Sequence, residues 1–215
     1  MTKLAFVFPG QGSQSVGMLD SWADNAAVKA VMDEASQALG QDLTTLAAEG
    51  PAEDLNLTTN TQPIMLAASY AMYQAYLSAG GKSPEVLAGH SLGEYTAFAA
   101  AGTLTLSDAV RLVRVRADAM QSAVPVGQGG MAAILGLDDD AVLQVCQAAS
   151  TEDSFVEAVN FIAPAQVVVA GHKEAIDRVC DLAKEAGAKR ALPLAVSAPF
   201  HSRLLEPAAQ VLASA

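Results

Sequence analysis

Gly89-His90-Ser91-Leu92-Gly93 is a G-x-S-x-G sequence, the pattern that seats a serine nucleophile on a sharp strand-to-helix turn. The apolar run Val86-Leu87-Ala88 precedes it, and a helical pattern from Leu92 to Ala101, closed by Gly102, follows it. In that context small neighbours let the Ser91 hydroxyl project at a helix N-terminus, where the backbone N–H of Leu92 can face a developing oxyanion. The competing reading of Ser91 is an ordinary helix-capping serine. A serine nucleophile needs a base, and the sequence holds 3 histidines. His90 adjoins the serine, so it faces another direction at the turn and makes a poor base. His172, in Gly171-His172-Lys173-Glu174, begins a helix and reads as a surface residue. His201 follows Ser197-Ala198-Pro199-Phe200 on a stiff, Pro-containing loop and is the base by elimination.

Arg116 is the next residue with chemical content. On a helix beginning at a Ser107 cap, with Asp108 favouring its positive end, a step of about 100° per residue puts Leu112, Val113, Arg116 and Met120 on one face. Arg111, Arg114 and Asp118 fall on the other. A guanidinium on an apolar stripe is costly unless an anion answers it. Two anions fit: an internal carboxylate in a salt bridge, or a substrate carboxylate held bidentately near the nucleophile.

The elements that must position these groups follow from the hydrophobic rhythm. Leu4 to Phe8, closed by Pro9-Gly10, reads as a buried parallel strand, as does Val86 to Gly89. Gly10-Gln11-Gly12-Ser13-Gln14 is a loop with exposed backbone N–H groups. Helices are expected over about Asn25–Leu39 and Thr44–Ala48, and from near Asn60 to Gly80-Gly81 with Pro63 in the first turns. The helix that carries Arg116 runs to about Val124. Strands alternating with helices imply an α/β fold with a parallel sheet. The composition shifts at Pro125-Val126-Gly127-Gln128-Gly129-Gly130, a hinge. Beyond it come a strand at Met131–Leu135, a helix at Asp139–Ala149, strands at Phe155–Phe161 and Gln166–Ala170, a helix at Lys173–Ala186 and a strand at Lys189–Leu194. That β-α-β-β-α-β order is the ferredoxin-like pattern. A small subdomain is therefore expected at 126–195, inserted into a larger one formed by 1–125 and 196–215.

Composition narrows the function classes. The chain has 215 residues, 52% of them hydrophobic, enough for a substantial core. Its net charge of −11 leaves no basic stripe for phosphates and excludes nucleic acid as the main partner. Cys146 and Cys180 suggest neither a disulfide framework nor a metal site, so a reduced, cytoplasmic setting is expected. MTKLAFVFPG lacks the long apolar run of a signal peptide. The uncharged stretch from Leu55 to Gly81 carries Asn56, Thr58, Thr59, Asn60, Gln62 and Pro63; it reads as a loop and a buried helix, not a membrane span. The sequence stops at Val211-Leu-Ala-Ser-Ala215 inside a helical pattern, the mark of an incomplete protein.

Phe8-Pro9-Gly10-Gln11-Gly12-Ser13-Gln14, Gly89-His90-Ser91-Leu92-Gly93-Glu94, Arg116 and Ala198-Pro199-Phe200-His201 stand in the order and approximate spacing of malonyl-CoA:acyl-carrier-protein transacylases. The resemblance runs the whole length of the chain, through Val159-Asn160-Phe161 and Gly187-Ala188-Lys189-Arg190. It implies an α/β-hydrolase-like large subdomain with parallel sheet and an inserted ferredoxin-like small subdomain. It also implies Ser91 as the acylated nucleophile, His201 as its base, and the backbone amides of Gln11 and Leu92 as the oxyanion hole. Arg116 matches the arginine that pairs with the malonyl carboxylate, and His90 a pocket-lining histidine. Asn160 matches a substrate-side polar group, and Phe200 the bulky residue before the histidine in malonyl-selective relatives.

The expected activity is malonyl transfer from malonyl-CoA to the phosphopantetheine thiol of acyl carrier protein in fatty acid biosynthesis. Coenzyme A enters only as the thioester substrate, with no permanently bound cofactor and no metal, and the chain is expected to be a monomer. Family members continue past the histidine loop and orient that histidine from the later segment. The resemblance therefore implies a C-terminally truncated chain with an exposed apolar sheet edge or helix face. Because the carrier protein is acidic, local cations must dock it, and Lys189, Arg190 and Arg203 are the candidates. Two other readings stand beside this one. A serine esterase or thioesterase would want an acidic triad member between Ser91 and His201, where the acids lie on helices or in the small subdomain. A non-catalytic carrier-binding fragment would leave Ser91 unacylated.

Overall fold

The Phe8-Pro9-Gly10 and Gly89-His90-Ser91 junctions are where strand hands over to loop and turn. In the computed structural model, which describes residues 3–125, 127–194, 196 and 198–215, the strands feeding them are β1 (Ala5–Phe8) and β2 (Val86–Gly89). They pair in parallel, Ala5 opposite Val86 and Phe8 opposite Gly89. Between them come α1 (Ala26–Leu39), α2 (Leu43–Glu49), α3 (Ala52–Leu55) and α4 (Thr58–Ser78), with a short 3-10 turn at Asp20–Trp22. After β2 follow α5 (Gly93–Ala100) and α6 (Leu106–Ala123). The chain forms two units: the first ends at Asp118 and also holds Ala215, and the second is Ala119–Ser214.

Local sequence explains the first unit's helices. Asn25 caps α1, accepting from the N–H groups of Ala27 and Val28 at 3.0 and 3.2 Å. Val28, Val31, Met32 and Ala35, spaced for one helical face, are buried against α4. α4 is buried on most sides, with Ile64, Leu66, Ala67 and Ala71 fully enclosed. Its start lies two residues ahead of the expected Asn60: the helix begins at Thr58, and Thr58, Thr61 and Gln62 are all buried. Thr61 satisfies its hydroxyl by donating to the Leu55 and Leu57 carbonyls at 2.6 and 3.0 Å. α6 begins two residues earlier than expected. Thr105, not Ser107, supplies the cap: its hydroxyl accepts from the Asp108 N–H at 3.1 Å and donates to the Asp108 carboxylate at 2.7 Å. Ser107 donates instead to Glu34 at 3.0 Å.

Both strands were expected to be buried; only one face is. Phe6, Phe8 and Leu87 pack with Tyr70, Tyr73, Leu77, Ala97 and Ala100 from α4 and α5, and the Phe6 and Tyr73 rings meet edge-on at 5.3 Å. The alternate residues face outward, leaving Val7 78% and Val86 53% exposed. Apolar runs of this kind specify a strand without specifying what covers each face.

The second unit continues with β3 (Gly129–Leu135), α7 (Asp139–Ala149), β4 (Val156–Ala163), β5 (Gln166–His172), α8 (Lys173–Glu185), β6 (Arg190–Pro193), a 3-10 turn at Arg203–Leu205 and α9 (Glu206–Leu212). The antiparallel strand order β4-β5-β3-β6 is the ferredoxin-like arrangement. Ala132 opposite Val169 and Ile134 opposite Val167 fill one face, which α7 and α8 cover with Val142, Val145, Ile176 and Val179. The expected hinge residue Val126 and the subdomain border at Ala195 lie outside the described residues, as does Ser197 of the histidine loop. Cys146 and Cys180 are buried and unpaired with each other as a disulfide. Burial pushes the Cys146 thiol up to about 12, so it stays protonated at neutral pH and behaves as a small apolar side chain.

Candidate active site

Because β1 and β2 are parallel neighbours, the segments leaving their C-terminal ends emerge side by side, as ligand-binding turns do in α/β sheets. The His90 N–H donates to the Phe8 carbonyl at 3.1 Å, which ties the serine turn to the end of β1. A Cβ added at Gly10 would lie 3.0 Å from the His90 carbonyl oxygen, so the loop bearing Gln11 runs directly past the turn bearing Ser91. His90 itself is exposed.

Ser91 has φ 55°, a left-handed conformation that a residue with a Cβ adopts only under constraint. The Gly93 N–H donates to the His90 carbonyl at 2.9 Å and the Glu94 N–H to the Ser91 carbonyl at 3.1 Å, locking the turn into the start of α5. Leu92, buried, is the cap residue of that helix. Two glycines make the crossing sterically possible. A Cβ on Gly89 would sit 2.0 Å from the Gly93 carbonyl carbon, and one on Gly93 would sit 2.3 Å from the Phe8 carbonyl oxygen. Those neighbours are backbone and cannot swing aside. Gly93→Ala is therefore expected to destabilise the first unit by about 3 kcal/mol, read as a lowered thermal midpoint. A midpoint equal to the parent's would mean that the turn relaxes freely and that the close approach is not required.

Arg116 projects from the buried face of α6 as the periodicity predicted and is 8% exposed. Its described partners are not carboxylates. Nη2 donates to Ser91 Oγ at 3.0 Å, and Nη1 donates to Gln62 Oε1 in a short hydrogen bond. The Tyr95 ring lies 5.7 Å away. Among the described residues no ion pair involves Arg116, so the internal salt bridge weighed above is not what holds it. Burial pushes its pKa down, and the opposing influences of Tyr95 and Glu94 do not restore it. A guanidinium stays protonated nonetheless. The result is a buried cation in contact with the serine hydroxyl that forms no ion pair among the described residues. Ser91 is thus not serving as a simple helix cap, since no side chain caps α5.

The first turns of α4 complete this cluster, and the sequence reading missed them. Thr58 and Gln62, four residues apart on one helical face, are each 1% exposed. The Thr58 hydroxyl accepts from Gln11 Nε2 at 3.2 Å, anchoring the side chain of the loop whose backbone amide was expected in the oxyanion hole. The four-residue spacing of two polar residues before Pro63 was the available signal.

Ser91, Leu92, His90, Gln11 and Arg116 all belong to the first unit; His201, Phe200 and Asn160 belong to the second. Within it, His201 is exposed and has φ 67°, the same uncommon backbone region as Ser91. It is bracketed by firmly held neighbours: Phe200 is buried with Ala198, Met131 and Leu205, and the Ser202 hydroxyl donates to the Pro199 carbonyl at 2.8 Å. Asn160 is half-buried on β4, where the pairing with β5 shifts register between Ala158 and Asn160. His172 is not the free surface residue expected. Its Nδ1 accepts from the Phe155 N–H at 3.1 Å and its ring meets Phe155 edge-on, a structural role. Among the described residues no three metal-ligating side chains cluster, and no helix is long and apolar enough to cross a membrane.

Comparison with known proteins finds similarity along nearly the whole chain. The acyl transferase domain family matches residues 5–215. A malonyl CoA-acyl carrier protein transacylase from Salmonella typhimurium is 55% identical over 214 residues, 99% of this chain and 69% of the relative. A crystal structure of an acyl-carrier-protein S-malonyltransferase from Burkholderia pseudomallei is 66% identical with a TM-score of 0.94, over 97% of this chain and 68% of that one. A type II polyketide acyl-carrier protein in complex with its malonyl-transacylase also matches, at 49% identity and a TM-score of 0.96, over 99% of this chain and 69% of that one.

Proposed function

This chain belongs to the acyl transferase domain family, among the malonyl CoA-acyl carrier protein transacylases, and from that premise we propose that it moves a malonyl group from coenzyme A to the phosphopantetheine thiol of acyl carrier protein through a malonyl-Ser91 ester. The observation that carries this reading is the contact of Arg116 with Ser91 Oγ at 3.0 Å: a buried cation beside a nucleophile, with no ion pair among the described residues, suits an acyl donor with a free carboxylate. A simple esterase or thioesterase would have no use for it.

In the proposed mechanism the malonyl carboxylate binds the Arg116 guanidinium and holds the thioester carbonyl over Ser91. Ser91 Oγ attacks that carbonyl as His201 takes its proton, and the amides of Gln11 and Leu92 receive the oxyanion. Collapse breaks the carbon–sulfur bond, and the departing coenzyme A thiolate takes the proton back from His201. The carrier thiol then repeats the sequence in reverse: His201 takes the thiol proton, sulfur attacks the ester carbonyl, and Ser91 leaves with the proton. His90 and Phe200 are proposed to shape the pocket and Asn160 to offer a substrate-side polar group. The division into an α/β-hydrolase-like acyltransferase subdomain, 1–125 with 196–215, and a ferredoxin-like one at 126–195 belongs to the same proposal.

Carrier docking is assigned to the exposed cations Lys189 and Arg190. Arg203 is less suited, because Glu157 lies 3.5 Å from its Nε and its guanidinium stacks 3.7 Å from the Phe155 ring centre. Fatty acid biosynthesis is the proposed pathway, in the cytoplasm and as a monomer; one similar structure is a malonyl-transacylase in complex with a type II polyketide acyl-carrier protein. The decisive measurement is the fate of the acyl group. Incubation with malonyl-CoA and holo-carrier protein is expected to give malonyl-carrier faster than free malonate. Release of malonate at the same rate with and without carrier would assign a hydrolase instead.

A further inference from the structure

Gln62 stands in a place where a carboxylate would be the ordinary choice. It is 1% exposed, and it faces a guanidinium that is itself 8% exposed. Every polar atom of a guanidinium is a donor, so the Gln62 atom in contact must be its carbonyl oxygen. A glutamate there would give a stronger, charge-assisted bond and would compensate the buried cation. It would also end the availability of that cation. A neutral amide fixes the guanidinium plane while leaving the charge to be answered from outside. The neighbouring contact makes the same point, since Ser91 Oγ is also a neutral acceptor.

We propose that Gln62 is a positioning residue that holds Arg116 through a neutral acceptor, and that this neutrality sets the preference for acyl donors bearing a carboxylate. The inference rests on the malonyl-transfer reading given above and names the residue that keeps the clamp charged. The stripe to which Gln62 belongs strengthens it. Thr58, one helical turn earlier on the same face, accepts from the Gln11 side chain at 3.2 Å. One rigid, buried helix start therefore sets both the carboxylate clamp and the loop of the proposed oxyanion hole.

The test compares rates of acylation of the full chain by malonyl-CoA and by acetyl-CoA, followed by intact mass, in the parent and in Gln62→Glu and Gln62→Met. Gln62→Glu is expected to lower the malonyl-to-acetyl rate ratio about a hundredfold, through pairing with Arg116 and repulsion of the malonyl carboxylate. It should do so without lowering the thermal midpoint, because the buried cation gains a counter-ion. Gln62→Met keeps the length and removes the acceptor, and is expected to lower the ratio about tenfold. It serves even if a buried carboxylate is not tolerated. A purely structural role would slow both donors together and leave the ratio alone. An unchanged ratio in the folded variants, with a parent that prefers malonyl, overturns the assignment of Gln62 by itself. A parent that accepts acetyl as readily as malonyl overturns the reading of Arg116 and the inference that rests on it.

Discussion

Replacing Ser91 by alanine is expected to abolish the malonyl adduct that malonyl-CoA leaves on the chain and to cut transfer to carrier protein about 10⁵-fold. The expectation follows from the backbone as much as from the hydroxyl. A serine at φ 55°, wedged between two glycines that tolerate no Cβ, is held in a conformation that an ordinary cap does not need. That strain aims Oγ away from α5 and toward Arg116. Alanine keeps the Cβ and the turn, so the variant should fold as the parent does, with a thermal midpoint within a few degrees, and lose only the attacking atom. Intact mass after incubation with malonyl-CoA, followed by peptide mapping, reads the outcome directly. An adduct of the same mass on the Ser91→Ala chain would place the nucleophile elsewhere and leave the strained turn without a chemical purpose.

The local parts of this site were legible in the sequence because they are written locally. G-x-S-x-G between an apolar run and a helical pattern specifies a turn whose geometry depends on the glycines themselves, and β2 and α5 flank it as expected. The β-α-β-β-α-β order beyond residue 126 likewise follows from periodicities of 2 and 3.6, and the strand order confirms it. What was not legible depends on partners. Periodicity placed Arg116 on the buried face of its helix, but no periodicity says whether a carboxylate, an amide or a hydroxyl meets it there. Gln62 was passed over because a polar residue in the first turns of a helix is ordinarily solvated; only the packing of α4 turns it inward. Val7 and Val86 show the same limit from the other side. Their type is that of a buried strand, and their exposure is set by what covers the sheet, which no local pattern encodes.

Arg116→Ala carries the second large effect, and it falls on specificity. Removing the guanidinium deletes the counter-charge for a malonyl carboxylate held on a buried arginine, a loss of about 4 kcal/mol for a buried, hydrogen-bonded charge pair, or about a thousandfold in the malonyl rate. An acetyl donor has no carboxylate to lose, so its rate should change little, and the preference between the two donors should collapse. The parent chain must already bear the expense of a buried cation without a bound carboxylate, as the direction of its pKa shift shows. Alanine removes that burden, so stability should hold or rise while malonyl loading falls. A salt bridge with a structural role predicts the reverse, with lower stability and both donors slowed alike. The two outcomes separate in a single pair of measurements, a thermal midpoint and a malonyl-to-acetyl ratio. If the ratio survives the loss of Arg116, the carboxylate is recognised elsewhere, and the contact between Arg116 and Ser91 Oγ serves the nucleophile rather than the donor.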